Sequence, residues 1–145
     1  MKPRRVIRLN RTRGGAAAAE FALVLPVLMT LVLACVDFGR FAYHHIAITN
    51  AARAGAEYGI MNPYVASGSS AWQSAIQTTA RNELTNQTNC TPTNLTTTTT
   101  VTIESNGLRR VRVVASYSSF QTIVSWPGIP SSTVLTARVD VWMIR

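Results

Sequence analysis

The feature that most constrains this chain is an apolar run near its N-terminus. From Ala16 to Val36 it reads AAAAEFALVLPVLMTLVLACV, 21 residues in which Glu20 is the one charge and Thr30 the one other polar side chain. A helix of about 20 apolar residues matches a hydrocarbon core roughly 30 Å thick. Directly before the run lies a basic head: Lys2, Arg4, Arg5, Arg8, Arg11 and Arg13. This head holds six of the 14 basic residues behind the net charge of +8, while from Gly14 onward eight Arg are set against six acids. Beside an apolar run, such a cluster is a topology signal that keeps the N-terminus in the cytoplasm. A nucleic-acid arm is the weaker reading of the same charges, so the expected partner is the lipid bilayer, not nucleic acid.

A removable secretory signal would share the basic and apolar regions. Here the apolar core is long, and bulky Val36 and Phe38 stand where small residues should precede a cut. Asp37 and Arg40, at helical spacing, mark the outer boundary. Cys35 lies in the apolar run and Cys90 in a distant polar stretch, so no intrachain disulfide is expected.

Helical spacing continues past the membrane. Phe38 to Tyr58 lacks Pro, and Phe41, Ile48, Ala52 and Ala56, with Ala47, Ala51, Ala54 and Gly55, recur at helical intervals. Gly59 and Asn62-Pro63 are stop signals. One helix over residues 16–58 would be roughly 65 Å long, with a transmembrane inner half and an amphipathic outer half. Pro26 removes a backbone donor, so a kink is expected there.

Beyond Pro63 the composition shifts. Ser70 to Leu84 reads as a second short helix, with Trp72, Ile76, Ala80 and Leu84 four apart. Strand patterns follow over Thr98–Glu104, Leu108–Phe120 and Val134–Ile144. Asn106-Gly107 is a hairpin signal between the first two. The expected fold is α+β and pilin-like: a long N-terminal helix, a short helix and an antiparallel sheet of three to four strands. One sheet face should pack on the outer helix, because about 86 residues alone build only a small core. The division expected is a basic leader (1–15), a transmembrane helix (16–37), its extracytoplasmic continuation (38–59) and a small extracytoplasmic domain (60–145).

The cluster that carries function is Arg13-Gly14-Gly15-Ala16-Ala17-Ala18-Ala19-Glu20-Phe21. A carboxylate about one turn into a membrane helix is costly and marks a functional site by default. A cut after Gly15 would give Ala16 a free amine able to pair with Glu20, in its own chain or a neighbour. The bland alternative is a Glu that snorkels to the interface.

The stretch RGGAAAAEFALVLPVLMTLVLACVDFGR resembles the N-terminus of TadE-like pseudopilins of tight-adherence (Tad/Flp) pilus systems. That family has a Gly before its cleavage point and a Glu at the fifth mature position before an aromatic, matched here by Gly15, Glu20 and Phe21. Pro26, the Asp37–Arg40 segment and Asn50-Ala-Ala-Arg-Ala-Gly-Ala56 extend the resemblance over about Gly14 to Gly59. It implies a prepilin-type substrate, cut between Gly15 and Ala16 by a prepilin peptidase. The mature chain would remain in the bacterial inner membrane and work with other pilin or pseudopilin subunits and the assembly platform. Glu20 would pair with the amine of Ala16 on an adjoining subunit. An exterior domain larger than a major Flp-type pilin carries favours a minor pseudopilin. The alternative is an uncleaved bitopic anchor with a small interaction domain.

An enzyme is not expected. His44 and His45 diverge by about 100° on a helix and make a poor metal pair. No nucleophile elbow, Walker loop or dinucleotide fingerprint is present, and no cofactor is implied. Arg109, Arg110 and Arg112 read as a solvated strand face.

Overall fold

The computed structural model describes residues 14–62, 69–85 and 90–143. The chain divides into two compact units between Cys35 and Val36. One helix, α1 (Gly14–Met61), contributes to both. It extends the expected helix by a few residues at each end, within ordinary end-fraying.

In the first unit the apolar side chains are open. Leu23, Val27 and Leu31 are 79%, 60% and 57% exposed. Such a helix is stable in water only if its apolar surface is covered, and it is long and apolar enough to cross a membrane. Its helical assignment runs through Pro26 unbroken. The Thr30 hydroxyl donates to the Pro26 carbonyl at 2.7 Å, so the polar side chain in the run is satisfied by its own helix.

The second unit comprises the rest of α1, α2 (Ser69–Thr85), a 3-10 turn at Pro92–Asn94, and strands β1 (Leu95–Ile103), β2 (Arg109–Gln121) and β3 (Ser132–Met143). Among the described residues the sheet has three strands, an antiparallel meander in the order β1-β2-β3. Period-two alternation sends Val111, Val113, Ala115 and Tyr117 inward and Arg110, Arg112 and Ser116 to the other face. The Asn-Gly signal does form the β1–β2 connection, with Gly107 at φ +80°. The loop is longer than the two residues the dipeptide favours. Gly107 N–H donates to the Glu104 carbonyl and Glu104 N–H to that of Leu108, each at 2.9 Å. Three residues, 105–107, thus lie between the closing pair.

The inner sheet face, α2 and the outer turns of α1 share the core. Ile48, Ile76, Leu84, Leu95, Val111 and Val113 are its largest fully buried side chains. Each such side chain contributes roughly 1.5–3 kcal/mol on burial. The α1 contribution is mostly small: Ala47, Ala51, Ala52 and Ala56 are buried. Small residues allow α2 to approach closely. A Cβ at Gly55 or Gly59 would lie 3.2 Å from an Ile76 methyl. The small residues on this part of α1 therefore serve the chain's own fold.

One departure from alternation matters. Tyr117 and Phe120 are both buried although three residues apart. An irregularity between them in the β2–β3 register supplies the extra residue. Phe120 thereby turns inward, edge-on to Phe41 at 5.8 Å and His44 at 5.4 Å.

Candidate functional site

The residues expected from the sequence to serve processing, Gly15 and Ala16, and charge pairing, Glu20 and Phe21, all lie near the start of α1. Ala16 and Glu20 are four apart, one above the other on one helix face. Gly15, Ala16 and Glu20 are exposed, and Phe21 is 59% exposed. A Cβ on Gly15 would meet nothing within 4 Å, unlike one on Gly55 or Gly59. No packing within the described residues requires glycine at position 15. No described residue forms an ion pair with Glu20. The topology-signal residues Lys2, Arg4, Arg5, Arg8, Arg11 and Arg13 lie outside the described residues.

A second constellation was not legible beforehand. Asp37, read from the sequence as a boundary marker, is buried at 6% exposure. Its Oδ1 accepts from the Ile123 N–H at 2.8 Å. Its Oδ2 accepts from the Trp126 indole N–H at 3.0 Å and the Val124 N–H at 3.3 Å. Arg40, one turn on, lies 3.5 Å from the same carboxylate and donates to the Gln121 carbonyl at 3.3 Å. Its guanidinium carbon is 5.8 Å from the Phe120 ring centre. The Asp-Phe-Gly-Arg segment thus clasps the β2–β3 connection onto α1. Charge-assisted bonds of this kind are about twice as strong as neutral ones. No sequence pattern links partners so far apart in the chain.

The histidines are structural. His44 is buried, its Nδ1 2.8 Å from the Arg40 carbonyl, and His45 stacks on Phe41 at 6.2 Å. On the outer sheet face, Arg112 holds Asp140 through two bonds of 2.8 and 3.3 Å across the β2–β3 pair. Arg138 adds a third contact at 2.7 Å. Hydrogen bonds from Arg138 and Arg112 keep the Asp140 carboxyl well below the usual carboxylate range. Burial raises the Cys90 thiol, which suits a packed side chain more than a reactive one. Among the described residues, no three His, Cys, Asp or Glu side chains are placed to hold a metal ion.

No curated protein and no solved structure matches this chain. A family model does: residues 15–57 match the family described as TadE-like protein. The match opens at Gly15, takes in Glu20, the Asp37–Arg40 segment and the small-residue turns, and ends within α1. The chain therefore carries a TadE-like segment, and α1 is its structure.

Proposed function

We propose that this chain is a minor pseudopilin-like membrane protein that takes part in assembling a Tad/Flp-type pilus or related secretion or adhesion machinery. It sits in the bacterial inner membrane with its basic leader in the cytoplasm, and a prepilin peptidase cuts between Gly15 and Ala16. The observation that carries this reading is the TadE-like match beginning at Gly15, a glycine that internal packing does not require.

The helix supplies the chemistry. A new amine at Ala16 would sit at the positive end of the helix macrodipole, where a cation is disfavoured. Glu20, one turn along the same face, offsets that cost in its own chain or across to a neighbour. In apolar surroundings neither charge is stable without the other. Phe21 then begins the unbroken apolar surface that faces lipid or other subunits.

Mass spectrometry of the membrane-extracted protein tests the cut. An N-terminus at Ala16, lost in Gly15→Leu, is expected in cells with an active prepilin peptidase. An intact Met1 N-terminus in such cells would leave the chain an uncleaved bitopic anchor. Glu20→Ala should insert normally but fail to support assembly.

A further inference from the structure

The β2–β3 connection, residues 122–131, reads TIVSWPGIPS and has no charged residue. It exposes Ile123 and Ile129 at 59% and 56%, and Phe38 of α1 is 72% exposed. Single exposed apolar residues are ordinary. These are gathered by one carboxylate, since Ile123, Val124 and Trp126 all donate to Asp37, the residue before Phe38. Ile129 is folded back by its N–H bond to the Trp126 carbonyl at 3.2 Å. Asp37 directly follows Val36, the last residue of the apolar run, in the same helix.

We propose that this clasped connection is a second contact with the bilayer, in which Phe38, Ile123, Trp126 and Ile129 rest in the headgroup layer of the membrane that the apolar run crosses. The inference rests on the membrane-spanning reading above. Three properties fit a lipid surface. Trp is the side chain most at home in that layer, with an apolar body and a polar edge. The loop lacks the charges that would resist leaving bulk water. The backbone N–H groups of Ile123 and Val124 already have their partner in Asp37, so approach to lipid strands neither of them. Arg40, 40% exposed and bonded to the last residue of β2 at Gln121, adds a cation suited to lipid phosphate.

Nitroxide labels test this in the full chain, reconstituted in phosphatidylcholine–phosphatidylglycerol vesicles on a Cys35→Ala, Cys90→Ala background. Labels enter at Ile123→Cys and Ile129→Cys, with Ile103→Cys (68% exposed, on β1) as the aqueous control and Leu25→Cys as the control within the run. Collisions are read with oxygen, which concentrates in lipid, and with a water-soluble nickel chelate. Labels at 123 and 129 should lose nickel collisions and gain oxygen collisions relative to 103. Equal nickel access at 103, 123 and 129 would overturn the proposal. Shielding of 123 and 129 from both probes would also overturn it, by showing that protein covers the loop. Nickel access at 25 would overturn the spanning reading itself, separating that failure from failure of the loop contact alone.

Discussion

The two stretches of α1 solve opposite problems with one backbone geometry. Before Val36 the helix carries Leu, Val and Met that stay exposed; after it, six of the nine buried positions are Ala or Gly, namely Ala47, Ala51, Ala52, Gly55, Ala56 and Gly59. A helix in lipid needs no partner for its large apolar groups, because the solvent already matches them. A helix against α2 and a sheet needs small groups, so that a neighbour's Ile and Val can reach its backbone. Hydropathy alone would rank the first stretch as the core, yet the packed core lies on the second.

The sharpest way to break this contrast is to delete the same kind of side-chain bulk in each setting. Ile76→Ala removes a fully buried group packed against Gly55 and Gly59 and should cost about 2–5 kcal/mol. Leu28→Ala, at an exposed position of the run, should leave the second unit's unfolding midpoint unchanged. Thermal unfolding of the full chain in micelles, read by near-UV circular dichroism, compares the two. Equal losses would mean that the run is part of the core.

Glycines sharpen the same contrast at smaller amplitude. Gly55→Val must displace Ile76, which lies 3.2 Å from the new Cβ, and should cost roughly 1–3 kcal/mol. Gly39→Ala meets nothing within 4 Å and should stabilise the helix by about 0.4–1 kcal/mol. Opposite signs in the denaturant midpoint are the expected result.

The smallest effect lies on the outer sheet face. Asp140 has a depressed carboxyl in the folded state. Its contribution is therefore complete above the ordinary aspartate range and is lost as pH falls below it. Asp140→Asn should lower the melting temperature slightly at neutral pH, and the difference from the parent should shrink in acid. A constant difference across pH would show that Arg112 and Arg138 do not hold the charge. The partly exposed setting keeps the effect modest.

Most of the fold was legible because it rests on local periodicity. Period 3.6 marked α1 and α2, including the Trp72, Ile76, Ala80 and Leu84 ridge, all of which is buried. Period two marked the three strands and sorted Val113 from Arg112. The bulge before Phe120 was not legible, because Ser118 and Ser119 look like ordinary strand residues and the irregularity exists only relative to β3. The compact spacing from Gly15 to Glu20 falls inside the segment that matches the TadE-like family, residues 15–57. The clasp was not legible. Asp37 shows as an acid ending an apolar run, but its donors are main-chain groups that any sequence could supply.

The clasp also has a mechanical consequence. Tension applied along α1 from its N-terminal side enters the second unit at Asp37, the first described residue there that bonds to another element. The carboxylate spreads that load over two backbone amides and an indole that must yield together. Arg40 and the Phe41–Phe120 contact lie one turn behind as the next line of resistance. A chain pulled by this helix would thus transmit force into the β2–β3 end of the sheet before its small-residue core is strained.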